Sequence, residues 1–276
     1  MSNASPMATA VPWDLVSSAY AEEVVPMFEA YALDALRLAA PPKGAPIVDV
    51  ACGPGTLSFL AAKQGHPVEA IDFSPQMIEK LDHRKRAQGV TALNAQVGDG
   101  QQLPYADATF GAAFSMFGLM FFPDRAKGRS ELRRVLVPGA RAVVSSWHRL
   151  ESNPVLAAMF SVLRETMNKL LGQNAPQPGA QEMPLVTEDL CHAEMSEVFA
   201  DVEVHSITHQ FRYKSVQDIW PSIERTMAPL VMMRKGIGEE KWAPLSKTVN
   251  AALVQAIGDK PPVMDMPAWL TVGTAR

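Results

Sequence analysis

Three short acidic and glycine-rich stretches carry most of the chemistry that this chain could perform. Val48-Asp49-Val50-Ala51-Cys52-Gly53-Pro54-Gly55-Thr56 follows a β-branched run and precedes a helical pattern. Glycines at such a junction let the backbone turn sharply and approach a ligand closely. Asp72 closes the next β-branched run. A carboxylate at that place can accept hydrogen bonds from both hydroxyls of a ribose. Asp99, in Val97-Gly98-Asp99-Gly100, closes a third run, where an acid can accept a hydrogen bond from the exocyclic amine of an adenine. The loop itself discriminates among ligands. A dinucleotide loop wants a third glycine and a pyrophosphate at the helix N-terminus. Ser58 stands at that third position. Asp49, inside the preceding run, would repel a pyrophosphate and favour a ligand that carries an ammonium group.

The elements that must position these groups follow from periodicity. Trp13 to Ala40 has a helical pattern that includes Tyr20, Val24, Met27, Phe28, Tyr31 and Leu36, and Pro41-Pro42-Lys43-Gly44 ends it. Ile47–Val50, Val68–Asp72, Leu93–Val97, Phe110–Ser115 and Ala142–Ser146 read as strands. Between them, Leu57, Leu60 and Ala61 sit at helical spacing up to Gly65, Ser74-Pro75 opens a helix as N-cap and first turn, and Asp124 caps another whose buried face includes Leu132, Val135 and Leu136. Val137-Pro138-Gly139-Ala140 reads as a tight turn. Strand and helix therefore alternate over 47–147, which implies a doubly wound α/β fold with a parallel sheet covered on both faces. In such a sheet ligands bind at the carboxyl ends of the strands, where the strand order reverses. Beyond it the pattern predicts a helix over Asn153–Leu171, a loop over Gly172–Pro184, a helix over Leu190–Phe199, a strand over Val202–Phe211, helices over 216–227 and 238–257, and a last strand over Trp269–Thr274. Residues 1–12 are small and polar, with two prolines, and read as a disordered tail; 13–276 read as one domain.

Bulk properties narrow the function classes. Hydrophobic residues make up 47% of the 276, enough for a packed core. The net charge of −4 argues against a dedicated nucleic-acid binder. His83-Arg84-Lys85-Arg86 is the one dense basic run and reads as a solvated helix end. Two distant cysteines, Cys52 and Cys191, make neither a disulfide framework nor a zinc site, and no metal site is expected. Together with the absence of a secretory signal or an apolar membrane span, they suggest a reduced, cytoplasmic setting.

The stretches Val48 to Gly55, Ala70-Ile71-Asp72-Phe73-Ser74, Gly98 to Tyr105, and Leu132 to Ala140 resemble, in order and spacing, the class I S-adenosylmethionine-dependent methyltransferases. The likeness is to the small-molecule group related to the ubiquinone and menaquinone enzymes, and Ser115 to Asp124 is similar to members of it. The resemblance implies S-adenosyl-L-methionine as cofactor and a Rossmann-like, seven-stranded, mostly parallel sheet with the last strand antiparallel. It also implies roles. Asp49 with the backbone of Ala51, Gly53 and Gly55 would hold the methionine part, and Ser115 would lie beside its amino group. Asp72 would hold the ribose, Phe73 and Met77 would pack near the adenine, and Asp99 and Gly100 would contact its edge. Two positions depart from the family: Ala51 replaces its first glycine, and Pro138-Gly139-Ala140 its Pro-Gly-Gly turn. Residues 13–40 would form a lid helix and 148–200 an insertion over the acceptor pocket.

Methyl transfer from a sulfonium is an in-line displacement, so a protein mainly supplies proximity and alignment. A general base is needed only for a protonated acceptor. His148, after the fifth strand, is the leading candidate, ahead of His192, His205 and His209, and Tyr20 could close over the cofactor. Met227, Met232, Met233, Met264 and Met266 could line an apolar acceptor site. The sequence leaves open a cofactor-binding partner without chemistry and a nicotinamide oxidoreductase, although the third glycine and a Tyr-x-x-x-Lys pair that the latter wants are missing. It does not name the acceptor or its accepting atom (O, N, C or S). It names no oligomeric state, and a homodimer is compatible with it.

Overall fold

The computed structural model describes residues 6–172, 183–258 and 263–276. Every residue of strand β1 (Ile47–Val50) is buried, Asp49 included, because the strand lies inside the sheet. β2 (Val68–Asp72) pairs with it on one side and β4 (Phe110–Ser115) on the other, both parallel. β3 (Leu93–Val97) extends the sheet beyond β2, and β5 (Leu136–Trp147) beyond β4. β7 (Val263–Thr274) runs antiparallel between β5 and β6 (Ala200–Arg212), which gives the seven-stranded order β3-β2-β1-β4-β5-β7-β6. The order reverses between β1 and β4, so the glycine-rich loop after β1 opens at the switch point.

The connecting helices obey the local signals. α3 (Thr56–Lys63) leaves the loop from Gly55, whose φ of +84° is the left-handed conformation that glycine adopts without strain. α4 (Pro75–Gln88) is capped by Ser74, whose hydroxyl accepts the Met77 N–H at 3.1 Å, and α5 (Arg125–Arg134) by Asp124, which accepts the Lys127 N–H at 2.9 Å. In the basic run, Arg84 lies 4.5 Å over the Phe59 ring and donates to the Pro54 carbonyl, so it is not merely solvated.

The N-terminal region is one nearly continuous helical rod. α1 (Ala10–Ala19) passes through a π-helical turn at Tyr20–Val24 into α2 (Val25–Ala39). The expected tail at 1–12 is corrected for its second half. Pro6–Ala8 form a 3₁₀ turn and α1 starts at Ala10, because Met7 is buried and its carbonyl accepts the Trp13 indole N–H at 2.9 Å. Residues 1–5 lie outside the described residues, as do 173–182 of the expected loop.

Val137 to Ala140 do not end a strand. β5 runs through them, with a register jump from Phe110↔Leu136 to Ala112↔Arg141 that absorbs the Pro-Gly kink, and Gly139 N–H is taken up by the Ala275 carbonyl at 2.9 Å. After β5 come α6 (Pro154–Leu171), α7 (Glu188–Ser196), α8 (Ile219–Thr226), α9 (Ala228–Ile237) and α10 (Glu239–Ile257). Helix α9 is not expected from the sequence; Pro229 in its first turn both breaks the preceding pattern and starts the new helix. β7 begins earlier than Trp269 because it pairs with β6 from Val263 onward, while its ladder with β5 starts only at Ala268. Among the described residues no helix is long and apolar enough to cross a membrane.

Candidate functional site

A cavity of about 290 Å³ opens at the carboxyl ends of β1 to β4. Asp49 lies on its floor, 1% exposed, and its Oδ2 accepts the Ser58 hydroxyl at 2.6 Å. Ser58 is the residue at the place of the missing third glycine, and that bond is what it does there. Burial pushes the Asp49 carboxyl up to about 7; the Ser58 bonds oppose the shift and the nearby Asp72 adds to it. Asp72 accepts the Gly53 N–H at 2.8 Å and the Ser74 N–H at 2.9 Å, one on each oxygen. Burial raises it to about 6 against the pull of those two donors. The same burial, with both acids close by, pushes the Cys52 thiol up.

The loop winds through three residues of positive φ: Ala51 at +57°, Gly53 at +54° and Gly55 at +84°. Ala51 thus occupies the small left-handed region open to residues with a side chain. Ala51 and Gly53 line the cavity; Gly55 lies just behind them. Gly55 is turned toward Leu81, whose Cδ1 would stand 2.9 Å from any Cβ there. Its requirement is the turn itself.

Phe73, Met77, Asp99 and Gly100 line the side below β2 and β3. Asp99 is exposed, with Oδ1 held by the Gln101 N–H at 2.8 Å. The opposite wall is Met116, Phe117 and Gly118. Ser115, expected beside the ligand, is fully buried behind that wall, where its hydroxyl accepts the Leu119 N–H at 3.1 Å. Phe117 has a φ of +56°, its N–H is bound by the Ser145 hydroxyl at 2.8 Å, and its ring stacks on Trp147 with centroids 4.1 Å apart. The roof is Ala8, Trp13, Tyr20, Phe28 and Ala32 from the N-terminal rod. Asp14 ties that roof to α4, accepting the Ser74 hydroxyl at 2.5 Å and the Gln76 N–H at 3.3 Å. Burial, and secondarily Asp72, keeps the Tyr20 phenol protonated far into alkaline pH, so it is a hydrogen-bond donor and not a base.

Nine of the expected residues therefore share one cavity: Tyr20, Asp49, Ala51, Gly53, Asp72, Phe73, Met77, Asp99 and Gly100. The expected base does not join them. His148 is corrected: its ring stacks on Trp269 at 3.8 Å and its Nε2 lies 3.2 Å from the Ser206 hydroxyl, because β5 carries it past the cavity to the β6–β7 side. His209 binds Asp34 at 2.8 Å, His192 lies 3.4 Å from Ser196 Oγ, and His205 pairs with Glu203; none lines the cavity. The five methionines named as acceptor-site candidates are likewise absent from the lining, and most pack into the core. No described residue of 148–200 lines the cavity either; α6 packs on α10, and α7 on β6 and β7. Of the two expected covers, only the N-terminal one lines the cavity among the described residues, through residues 8–32. Trp13 and Phe28 belong to the expected lid helix without having been named as site residues, and Phe117 and Gly118 belong to the aromatic stretch at 115–124.

A family model described as a methyltransferase domain matches residues 48–144. That span holds β1 to β4 and every acid of the floor. Over residues 48–144 the chain is thus similar to methyltransferase domains. An uncharacterised protein of Mycobacterium tuberculosis is 39% identical over 104 residues, 38% of this chain and 38% of that one. The demethylmenaquinone methyltransferase of Corynebacterium kroppenstedtii is 35% identical over 131 residues, 48% of this chain and 52% of that one. The matches thus span about half or less of these curated relatives. In fold alone the likeness reaches further. The YcgJ protein of Bacillus subtilis has a TM-score of 0.56 at 17% identity, covering 90% of this chain and 99% of its own. A phosphoethanolamine N-methyltransferase of Haemonchus contortus, solved with S-adenosylhomocysteine, has a TM-score of 0.56 at 16% identity, covering 95% of this chain and 58% of its own.

Proposed function

We propose that this protein transfers a methyl group from S-adenosyl-L-methionine to a small, largely apolar acceptor. The observation that carries the reading is the composition of the one cavity at the switch point. Its floor holds two buried carboxyls, and among its described lining residues there is no Lys, Arg or His. A floor of that sign suits an ammonium and a sulfonium and disfavours the pyrophosphate of a nicotinamide cofactor.

Asp49 and the Ala51–Gly53 backbone would hold the methionine end, Asp72 the ribose, and Phe73, Met77, Asp99 and Gly100 the adenine. Bound there, the cofactor supplies a methyl group already activated by its sulfonium. The chain's own contribution is alignment and exclusion of water, for which positioning can supply on the order of 7–11 kcal/mol. Trp13, Phe28 and Phe117 would seat a flat, apolar acceptor, and Tyr20 would donate a hydrogen bond. With no imidazole in the lining, an acceptor that needs no proton abstracted by the protein fits best, whether it accepts at oxygen, nitrogen, carbon or sulfur.

Thermal unfolding with S-adenosylhomocysteine, and in parallel with NAD, tests the reading. A ligand at a hundred times its Kd stabilises by about 2.7 kcal/mol. In a chain of this size that raises Tm by roughly 2 °C or more per kcal/mol. A rise with the homocysteine compound alone is expected; a rise with NAD alone would overturn the reading. Turnover of the cofactor with phenols, amines and thiols then separates an enzyme from a cofactor-binding partner without chemistry.

A further inference from the structure

We propose that ligand binding at this site is proton-linked: Asp49 holds a proton before the cofactor binds, and the ammonium group of the incoming cofactor replaces it. The proposal rests on the cofactor reading above. The exchange balances simply. A neutral Asp49 carboxyl and a ligand ammonium give a carboxylate–ammonium pair, and one proton passes to solvent. Binding therefore strengthens as pH rises, and acidification favours release.

The geometry is that of an uncompensated acid. From α3, Asp49 meets the neutral Ser58 hydroxyl. From β2 it faces a second acid, Asp72, and from its own loop the Cys52 thiol, also neutral. Tyr20 in the roof is a neutral phenol that faces Asp72, and the remaining acidic side chain of the lining is Asp99. Asp14, behind Ser74, adds a further carboxylate on the Asp72 side. The basic side chain bound to the loop, Arg84, is engaged with the Pro54 carbonyl and the Phe59 ring and does not line the cavity. Every charged group that faces Asp49 in the cavity is thus of its own sign.

Asp49 rather than Asp72 is the proton's place because their donors differ. Asp72 has a backbone N–H on each oxygen, which favours its ionised form. Asp49 has donors from Ser58 alone, its hydroxyl and its backbone, and lies deeper, and its carboxyl is the more strongly raised of the two, to about 7 against about 6. An ammonium at Asp49 removes the reason for the raised value, so the proton leaves when the ligand enters.

Calorimetric titration of the full chain with S-adenosylhomocysteine tests this directly, in phosphate and in Tris, at pH 6 and pH 8. Released protons are taken up by buffer, so the measured heat depends on the buffer's own ionisation enthalpy. Close to one proton released at pH 6, little at pH 8, and an affinity about tenfold weaker at pH 6 are expected. Methylthioadenosine, which lacks the ammonium, is the second probe and should release fewer protons at pH 6. D49N should bind the homocysteine compound with buffer-independent heat, and if that variant does not fold, the comparison of the two probes on the wild-type protein still decides. Equal heats in both buffers at pH 6 with tight binding would show that Asp49 is already ionised and overturn the proposal. Equal release by the two probes would overturn the assignment to Asp49. No binding of the homocysteine compound at either pH would instead remove the cofactor reading, and this inference with it.

Discussion

The methyl group of Ala51 occupies the space left by Gly118 across the cavity wall; a Cβ on Gly118 would overlap it deeply and would also crowd the Ser115 hydroxyl at 3.2 Å. Ala51 holds a left-handed φ of +57°, where a side chain costs about 1–2 kcal/mol. The loop carries that alanine because the opposite wall gives way. Two substitutions test the pair. Gly118→Ala should destabilise by about 1–3 kcal/mol through overpacking. Ala51→Gly should be neutral or stabilising by about 1 kcal/mol, and the double variant should recover most of the Gly118→Ala loss. Urea unfolding of all four proteins measures the coupling, and additive effects would show that the two residues do not meet.

Asp72 is bound by Gly53 and Ser74 before any ligand arrives. It sets the loop as well as the ribose site. Asp72→Ala should weaken S-adenosylhomocysteine binding tenfold or more, since a charged hydrogen bond is worth roughly 1.5–3 kcal/mol. Unchanged affinity in a folded variant, read by calorimetry, would mean that the ribose lies elsewhere.

The roof is held at one point that the sequence does not advertise. Asp14 accepts hydrogen bonds from the Ser74 hydroxyl and the Gln76 N–H at the start of α4. Asp14→Ala should cost about 1 kcal/mol, as loss of a helix cap does. It should also shorten the residence time of bound S-adenosylhomocysteine several-fold. Stopped-flow displacement measures it; an unchanged off-rate would show that the rod does not cover the ligand.

The ligand-free protein should lose stability as pH rises from 4 to 7. The Asp49 carboxyl titrates at about 7 when folded and near 3.8 when unfolded, so in that window the folded state holds more protons. At about 1.4 kcal/mol per unit the contribution is on the order of 4 kcal/mol, complete below pH 4 and gone above 7. The Tm of D49N minus that of the wild-type protein should therefore climb with pH across this range. A flat difference would contradict the raised value.

His148→Ala should leave ligand affinity and turnover essentially unchanged. Its ring stacks on Trp269 outside the cavity, so the loss is about 0.5–1.5 kcal/mol of stability. A large fall in turnover, with Tm little changed, would bring the histidine back as a base.

What the sequence by itself determined is what depends on neighbours along the chain. β-branched runs, caps such as Ser74 and Asp124, and the glycines of the loop declare β1 to β4, α3 to α5 and the acids at the strand ends, because strand burial, capping and left-handed turns are local requirements. The fold class and the switch-point site followed from their alternation. Only the tertiary structure decided which side chains meet over that site. Gly55 carries the expected residue type in the expected place, yet Leu81, from the next helix, packs against it. His148 stands one residue past β5, but its ring finds Trp269, more than a hundred positions away, on β7. The sequence expected both 13–40 and 148–200 over the cavity; that among the described residues only the N-terminal rod lines it, and that the floor's acids meet no basic side chain, are likewise sums over distant residues. Burial and electrostatic compensation are set by everything that packs within a few ångströms, and a linear pattern cannot name those neighbours.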